Sequence, residues 1–448
     1  MEYVSTSSPQ NGFTADFREM FYHPVAPDGG IYMPQSIPTI PSAVFKNLEG
    51  MSLTDCAYII TAAILGQDID PSVLREATAS ALDFEIPLQR LSDDIMSLEL
   101  FHGPTLGVRD LGTRFLAAFM SRYDCCSTDR RVNVIAATAG DTGMALADAM
   151  KDVPGAHVYI LHPRDESGRD KRTGFMLSGE NATSIEVKGS LDQCMGMLYE
   201  LLSDREFTDA NNLVSGNTLN FMRLLPIIVT FFHAKAQMHR TGTCKPDDPI
   251  VFALPSGSLA TLAAGVIAKR MGLGNVRFVT ACSKGHSFSR FLRTGVWQGG
   301  NAEPSIAGAL DVSYPGNLPR LFAKYGNSAE AMSEDISAVE VSDDEIRAAM
   351  RQTLTRYDYL TDPHTAATMY ALESHMHQGE KGVILASVHP AKFGSVVQEN
   401  TQTCVVAPKR MERIKSGSAV RQLALPPTVS ALKKFLREQN LHKPEAAQ

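Results

Sequence analysis

One unit recurs along most of the chain: a run of β-branched residues, a loop rich in Gly or Ser, and a helical pattern. It is found at residues 131–152, 156–204, 248–272 and 382–400. Short apolar strands that alternate with helices of about ten or more residues are typical of βαβ units around a parallel sheet. The number of units favours two doubly wound α/β sheets, and a single barrel is the alternative on this pattern alone.

The length of 448 residues corresponds to about three domains at ~150 residues each. Residues 1–95 lack the unit and have Pro- and Gly-rich connections around one helical pattern, LTDCAYIITAAILG, so we predict an N-terminal helical subdomain there. Residues 96–235 are predicted to form a first α/β domain. Residues 236–448 are predicted to form a second one, which ends in the helical segment VSALKKFLREQ.

Composition and charge exclude several classes of protein. The net charge is −7 and both signs are interspersed, which argues against general nucleic-acid binding but allows a local basic pocket for a small anion. The seven cysteines are odd in number and form no CxxC pair, so neither a disulfide framework nor a metal site is indicated. The most apolar stretch, residues 224–232, is shorter than the ~20 residues of a membrane span, and the N-terminus does not resemble a signal peptide. We therefore expect a cytoplasmic protein that binds neither membrane nor nucleic acid.

Loops that follow strands are where ligands bind in open α/β sheets. The loop TAGDTG, residues 138–143, lies between a predicted strand and a predicted helix, where glycines allow close approach and free N–H groups can bind an anion. A tight turn capped by Asp141 or Thr142 is the alternative. The loop PSGSLA, residues 255–260, has the same position and can offer N–H and hydroxyl donors to a phosphate. An ordinary capped turn is again the alternative.

Two further segments carry unusual chemistry. FHGPTLGVRDLGTRF, residues 101–115, is dense in Gly and Pro, and apolar residues then recur at helical spacing, so Arg109 lies near a predicted helix start. A functional loop and a surface ion pair between Arg109 and Asp110 are the two interpretations. SVHPAKF, residues 387–393, follows the last strong strand, and its lone His389 is expected to be a packed or solvated residue.

Taken together, these loops are similar to those of threonine synthases. That family carries segments close to LELFHGPTLAFKDxG, TSGDTG, PSGNFG and TAHPAKF in this order, and here they read LELFHGPTLGVRDLG, TAGDTG, PSGSLA and SVHPAKF. PDGGIYMP, NTLNFMRLLP, ALDVSYPGN and DPHTA, which begin at residues 27, 217, 309 and 362, also resemble the family. The resemblance covers nearly the whole chain and is closest to the bacterial branch.

The resemblance implies the fold of type II pyridoxal-phosphate enzymes, with two α/β domains and the cofactor in the cleft between them. In that family a lysine forms an imine with the cofactor and shuttles protons while phosphohomoserine is converted to threonine. Matched by position, Arg109 replaces that lysine here. The implied cofactor-binding residues are Asn217, Ser256, Gly257, Ser258, Leu259, Ala260 and Ser387. The implied substrate-binding residues are Thr138, Ala139, Gly140, Asp141, Thr142, Asn220 and Arg223.

This sequence departs from the family's pattern at the residues that carry the chemistry. A guanidinium has a pKa above ~12 and a delocalised charge, so Arg109 can neither form the imine nor act as a general base. Ser258, Leu259 and Ala260 stand where the family has Asn, Phe and Gly, and Ala260 is expected to be strained if its position requires a positive φ. Ala139 replaces a serine and removes a hydroxyl from the substrate loop.

Three interpretations follow. The first, which we favour, is a threonine-synthase-like protein without the family reaction, in which Arg109 binds a small phosphorylated or amino-acid-like anion and any pyridoxal phosphate is held non-covalently. The second is an active threonine synthase that uses non-covalent cofactor or another lysine. Lys392 occurs in active relatives too, and Lys171 and Lys284 follow other strands. The third is a non-catalytic regulator that self-associates or pairs with an active homologue.

Overall fold

The computed structural model describes residues 1–10, 12–123, 131–164, 180–300, 302–411 and 421–440. The strands in this part of the chain form three sheets: a small N-terminal one, a five-stranded one and a six-stranded one. Both larger sheets are built from parallel βαβ units, as the recurring pattern predicts, so two sheets and not a single barrel are formed.

The N-terminal part contains a helical region, as predicted, and also a small antiparallel sheet that was not predicted. The strands have the order β2-β1-β3 and are β1 (Tyr3–Ser5), β2 (Thr14–Ala15) and β3 (Tyr32–Pro34). The helices are α1 (Phe17–Tyr22), α2 (Ser42–Lys46), α3 (Leu53–Leu65) and α4 (Pro71–Ala81), with a 3-10 turn at Leu48–Gly50. Strands of two or three residues are too short to show an alternating pattern, and this explains why the sheet was missed.

The five-stranded sheet is parallel throughout and has the order β14-β8-β7-β6-β9. Its strands are β6 (Val132–Ala137), β7 (Ala156–Pro163), β8 (Ala182–Val187), β9 (Leu213–Ser215) and β14 (Arg421–Leu425). The helices of this region are α5 (Arg109–Met120), α6 (Asp141–Met150), α7 (Leu191–Ser203), α8 (Arg205–Ala210) and α9 (Leu225–Arg240), with a 3-10 turn at Phe221–Arg223.

The six-stranded sheet has the order β12-β11-β10-β13-β5-β4 and is parallel except for the edge strand β4. Its strands are β4 (Leu88–Arg90), β5 (Ile95–Glu99), β10 (Ile250–Pro255), β11 (Val276–Cys282), β12 (Ile336–Glu340) and β13 (Lys381–Ala386). The remaining helices are α10 (Ala260–Ala268), a π turn (Lys269–Leu273), α11 (Ser287–Thr294), α12 (Leu318–Tyr325), α13 (Ala329–Ser333), α14 (Asp343–Tyr357), α15 (Pro363–His375), α16 (Gly394–Thr401) and α17 (Val429–Asn440), with 3-10 turns at Gly308–Leu310 and Pro390–Phe393.

Each large sheet is buried on both faces because successive side chains of a strand point in opposite directions. In β10, Phe252 and Leu254 belong to a large central hydrophobic cluster, whereas Val251 and Ala253 belong to a second cluster on the opposite face. The strand β6 also contributes alternate residues to the central cluster, and its intervening residues belong to a third one. The central cluster therefore joins both sheets in one core.

Sheet membership departs from the predicted ranges in three places. The strand β4, inside the range 1–95, joins the six-stranded sheet by pairing with β5. The strand β5, which begins at Ile95 and continues into the range 96–235, joins the same sheet by pairing with β13. The strand β14, inside the range 236–448, joins the five-stranded sheet by pairing with β8, and α17 packs against α7 of the same sheet. The chain therefore leaves each α/β unit and returns to it, which a division into consecutive ranges cannot represent.

Candidate functional site

The loop that leads into α5 is tied to the segment that follows β13. Val108 N donates a hydrogen bond to the Ser387 carbonyl oxygen at 2.8 Å, and Gly107 pairs with Val388 in an isolated antiparallel bridge. The helix α5 begins at Arg109, as the helical spacing predicts. Two segments that are far apart in sequence, and that were both singled out as site loops, therefore meet.

The Arg109 side chain reaches the loop that precedes α10. Its Nη2 atom lies 4.0 Å from the point where a Cβ atom would sit on Gly257. Within the described residues, the guanidinium forms no hydrogen bond and no ion pair. Burial lowers the pKa of Arg109 from its ordinary value, and the charge of Asp141 opposes this effect. A guanidinium remains protonated under such a shift, so the site holds a fixed positive charge.

Lys392, unlike Arg109, forms an ion pair and a hydrogen bond with described residues. Its Nζ atom lies 2.6 Å from Asp141 Oδ1 and donates to the Thr105 carbonyl oxygen at 3.1 Å. The side chain is only 5% exposed, so the ammonium is held between these acceptors away from solvent. Asp141 thus lies between two cations, one paired with it directly and one, Arg109, acting on it at longer range.

Asp110 is a structural carboxylate. It is buried and accepts hydrogen bonds from Thr105 N at 2.8 Å and Thr105 Oγ1 at 2.7 Å. Burial raises its pKa to about 6, although the two bonds from Thr105 lower it. The alternative of a surface ion pair between Arg109 and Asp110 is therefore wrong, because Asp110 is 1% exposed and bound to Thr105 instead.

Arg223 is a buried arginine near Arg109, which is itself partly exposed. Burial lowers the pKa of Arg223 to about 9, and the charge of Arg109 contributes to this shift. Its Nη1 atom donates to the Gly216 carbonyl oxygen. A Cβ atom on Gly112 of α5 would lie 2.7 Å from its Nε atom, so the glycine allows the close approach of α5 to Arg223. The charge of Arg109 therefore disfavours the charged form of the buried Arg223.

The loop TAGDTG forms the turn between β6 and α6. Gly140, at φ +153, is the cap residue of α6, and its N–H donates to Thr138 Oγ1 at 2.9 Å. The cap was expected at Asp141 or Thr142, but both lie inside the helix, and α6 has no side-chain cap. Ala139 is exposed at the apex of this loop. The first N–H groups of α6 are therefore not used by a capping side chain.

The loop PSGSLA forms the turn between β10 and α10. Gly257 at φ +45 and Leu259 at φ +58 both adopt the left-handed region. The expected strain at Ala260 is wrong, because that residue begins α10 in helical conformation and the strain falls on Leu259 instead. A left-handed non-glycine residue costs about 1–2 kcal/mol. The Ser258 carbonyl oxygen accepts hydrogen bonds from Asn317 N at 3.0 Å and from Asn317 Nδ2 at 3.2 Å, and these contacts fix the Ser258 backbone.

The two asparagines implied by the resemblance make backbone contacts. Asn217 Nδ2 donates to the Ala137 oxygen at 2.9 Å, and Asn217 Oδ1 accepts from Ala137 N at 2.9 Å. Asn220 Nδ2 donates to the Phe21 oxygen at 3.1 Å, and its Oδ1 accepts from Met222 N at 3.1 Å. Asn217 therefore lies beside the TAGDTG loop and closes the end of β6, while Asn220 starts a 3-10 turn.

The remaining predicted positions lie at the carboxyl ends of the central strands. Ser256 and Ser387 are buried directly after β10 and β13, at 3% and 7% exposure. His389 accepts from Ala391 N at 3.1 Å and packs its ring 5.2 Å from that of Phe101. Burial lowers the pKa of His389. The expectation that His389 is a packed residue is confirmed.

Reasoning from the residues did not find two buried clusters. Glu99 Oε2 lies 2.6 Å from His102 Nε2, and Glu99 Oε1 accepts from the Tyr359 hydroxyl at 2.9 Å. Asp362 Oδ1 lies 2.8 Å from His364 Nδ1, and both residues are almost fully buried. The only signal for these clusters in the sequence is a carboxylate two or three residues before a histidine. It occurs in the segments LELFHGP and DPHTA.

A cavity of about 800 Å³ is lined by α4, α5 and α6 and by Thr105 and Arg114 of the segment 101–115, but Arg109 does not line it. No described helix combines the length and apolar character needed to cross a bilayer. In the same part of the chain, no group of three metal-ligating side chains occurs, and the five described cysteines are free. Lys171, one of the lysines considered as a replacement, lies outside the described residues.

Two family models match this chain. The model described as pyridoxal-phosphate dependent enzyme matches residues 86–388, and the model described as threonine synthase N terminus matches residues 2–82. The chain is 30% identical over 407 residues to a threonine synthase of Serratia marcescens. The matched region covers 91% of this chain and 92% of that protein. A threonine synthase of Escherichia coli (strain K12) is also 30% identical, with 91% and 93% covered.

Solved structures give the same result. The threonine synthase of Escherichia coli superimposes with a TM-score of 0.87 at 28% identity, covering 98% of this chain and 100% of that one. The pyridoxal-phosphate-bound threonine synthase of Brucella melitensis gives a TM-score of 0.83 at 25% identity, covering 98% and 99%. The expected fold, two α/β units of the type II kind preceded by an N-terminal subdomain, is confirmed. This chain belongs to the threonine synthase family of pyridoxal-phosphate dependent enzymes.

Proposed function

We propose that this chain binds a phosphate monoester without the covalent lysine chemistry of its family. The anion site is defined here as Arg109, Gly257, Ser258 and the N-terminus of α10. The observation that carries the proposal is the Arg109 guanidinium, which lies beside Gly257 and forms no hydrogen bond or ion pair with a described residue, while the charge of Asp141 acts on it at longer range. A guanidinium matches phosphate geometry and charge, whereas it cannot act as the nucleophile that a lysine provides.

The charges around the anion site support an anionic ligand. Positive charge is concentrated at the two arginines, because the charge of Arg109 lowers the pKa of Arg223 while Asp141 is paired with Lys392. Buried charges are normally paired, because removal from water without a partner is costly. A bound phosphate monoester would offset this positive charge and relieve the repulsion between the two arginines.

The site fits the phosphate group of pyridoxal phosphate but not its aldehyde group. The helix α10 starts without a side-chain cap, so its first N–H groups, the Gly257 turn and Arg109 could hold the phosphate. When bound, the cofactor supplies an aldehyde and an electron-withdrawing ring. Position 109 has no amine to meet that aldehyde, and Lys392 is in a 2.6 Å ion pair with Asp141. The residues therefore favour ionic over covalent retention, in a protein that we place in the cytoplasm.

Rescue of catalysis by another lysine has weaker support. Lys392 would have to give up its 2.6 Å contact with Asp141 and lose a proton before it could act as a nucleophile. Lys284 is exposed after β11, and Glu303 N donates to its carbonyl oxygen. An active threonine synthase with a different lysine is therefore retained only as an outcome of the test.

The test measures binding and covalent attachment separately. Binding of inorganic phosphate, pyridoxal phosphate and phosphoserine is measured by calorimetry for the unmodified chain, Arg109→Gln and Arg109→Lys. The matched control is Arg114→Gln, because Arg114 lies on the same helix but pairs with Asp83 at 2.6 Å. The visible spectrum with pyridoxal phosphate is then recorded before and after borohydride, and the protein is digested to find any labelled peptide.

We expect the unmodified chain to bind a phosphate monoester, and Arg109→Gln to bind it about tenfold or more weakly, because a charge-assisted contact is lost. Arg114→Gln should retain the affinity. No borohydride-fixed label is expected unless Arg109→Lys supplies an amine. The pyridoxal-phosphate and phosphoserine arms distinguish a retained cofactor from a phosphorylated amino acid. A labelled lysine in the unmodified chain would favour the active-enzyme alternative, and absence of binding to all three ligands would refute the proposal.

A further inference from the structure

The anion site has a neighbour that the proposed function does not use, the loop that contains Ala309. The Ala309 carbonyl oxygen lies 3.3 Å from the point where a Cβ atom would sit on Gly257, and Arg109 Nη2 lies 4.0 Å from the same point. The carbonyl and the guanidinium therefore flank Gly257. Because the carbonyl oxygen carries partial negative charge, its direction influences where the guanidinium rests.

A buried histidine holds the peptide that directly precedes the one with this carbonyl. Ala309 N donates to His364 Nε2 at 3.2 Å, while His364 Nδ1 lies 2.8 Å from Asp362 Oδ1. Since Nε2 accepts a hydrogen bond, the proton of the neutral ring is assigned to Nδ1, where it is donated to Asp362. His364 and Asp362 are 3% and 1% exposed, so water does not compete for these contacts.

Both ends of this arrangement are anchored. Asp362 caps α15, because its Oδ1 atom accepts from His364 N at 2.9 Å. On the other side, Asp311 accepts from Ser305 N at 2.7 Å and from Ser305 Oγ at 2.8 Å, which closes the loop around Ala309. The His364 ring, at the start of α15, therefore connects that helix to the loop around Ala309.

We infer that His364 and Asp362 are positioning residues for the anion site, acting through the Ala309 peptide. His364 holds the Ala309 N–H, and Leu310 N donates to the Ala307 carbonyl oxygen at 2.8 Å, so the peptides on both sides of the Ala309 Cα are fixed. The Ala309 carbonyl therefore stays directed at Gly257. This inference rests on the proposed function, because it assigns the two residues to the same phosphate-binding site. It gives a role to a carboxylate–histidine pair that is buried away from solvent.

The test compares two substitutions of one residue. His364→Gln keeps a side-chain acceptor for the Ala309 N–H, whereas His364→Leu removes the acceptor but keeps apolar volume. Affinity for inorganic phosphate is measured by calorimetry, and exchange of the Ala309 amide hydrogen is followed by mass spectrometry or NMR. If His364→Leu fails to fold, Asp362→Ser replaces it, because serine still caps α15 but no longer fixes the imidazole.

We expect His364→Leu to bind phosphate about tenfold more weakly, since an orphaned buried N–H costs about 1–3 kcal/mol and lets the loop shift. Its Ala309 amide should exchange faster, and His364→Gln should restore both properties. The inference is overturned if His364→Leu binds phosphate as the unmodified chain does, or if His364→Gln is equally impaired. If the unmodified chain binds no phosphate, the proposed function fails instead, a result distinct from the other two.

Discussion

At the scale of single residues, an arginine in place of a lysine preserves charge while it removes an amine. The surroundings of Arg109 suit the first property, because the guanidinium lies beside the Gly257 turn and forms no hydrogen bond or ion pair with a described residue. Lys392, another amine at this site, is paired with Asp141. Under the proposed function, the single side chain at position 109 favours ionic binding over covalent attachment.

Stability should respond to the ionisation of Asp110. Burial raises its pKa from 3.8 to about 6 in the folded chain, so the folded state binds this proton more tightly than the unfolded state does. The contribution of Asp110 to stability is therefore greatest below pH ~4 and is lost as the pH rises through the folded pKa. Relative to Asp110→Asn, the unmodified chain should lose on the order of 2 kcal/mol between pH ~4 and ~7.

Urea unfolding of both proteins across this pH range measures the effect. Asp110→Asn is its control, because the amide does not titrate while the rest of the chain titrates as before. A difference in unfolding free energy that does not change with pH would contradict the prediction.

Motif residues were easier to identify from the sequence than their contacts. The sequence located Arg109 at a helix start and Gly257 in a strand-to-helix turn. It could not show that Asp110 binds Thr105, nor that the backbone strain falls on Leu259. These features depend on the path of the backbone and on burial, which residue type and spacing do not encode.

At the scale of elements, Asn217 acts as a clamp on the end of β6. Its amide makes two 2.9 Å hydrogen bonds with the backbone of Ala137, directly before the TAGDTG loop. Asn217→Ala should lower the free energy of unfolding by about 2 kcal/mol, because the backbone groups at Ala137 lose their partner. Thermal unfolding without any ligand measures this loss.

The matched control for this clamp is Asn47→Ala, since Asn47 is exposed and makes one bond to the Ala43 oxygen at 2.8 Å. That variant should unfold close to the unmodified chain. If Asn217→Ala is no less stable than Asn47→Ala, the side chain of Asn217 is not needed by the fold, and a role limited to ligand contact becomes the better interpretation.

Long elements were predicted well, and short or edge elements were not. The run AHVYILHP is β7 from Ala156 to Pro163, and the C-terminal helical pattern is α17. The strands β9 and β12 were missed, because three or five residues without flanking turn signals do not stand out from a loop. The partner of a strand is set by tertiary contacts, so the pairing of β14 with β8 could not be read from sequence.

At the scale of the whole molecule, the described segment that ends at Met411 contacts the loop before α5. Arg410 Nη1 donates to the His102 carbonyl oxygen and to that of Gly103, the latter at 3.4 Å. Met411 packs with Leu106 in a small buried cluster. The end of the second α/β unit is thereby fastened onto the loop that carries Arg109.

Loss of this contact should loosen the Arg109 loop. Arg410→Met removes donors to two carbonyl groups, so amides of residues 101–107 should exchange several-fold faster, as expected for about 1 kcal/mol of lost hydrogen bonding. Hydrogen exchange followed by mass spectrometry measures this, with Lys409→Met as the neighbouring control. Equal exchange in the two variants would show that Arg410 does not restrain the loop.

The pairing of β14 with β8 also affects the order in which the protein can be completed on the ribosome. About 230 residues separate Val187 from Arg421, and at ~5–20 residues per second their synthesis takes on the order of tens of seconds. During that time one edge of the five-stranded sheet remains open, and an open strand edge can pair with other chains. Expression should therefore be sensitive to chaperone supply and to translation speed in the second half of the message.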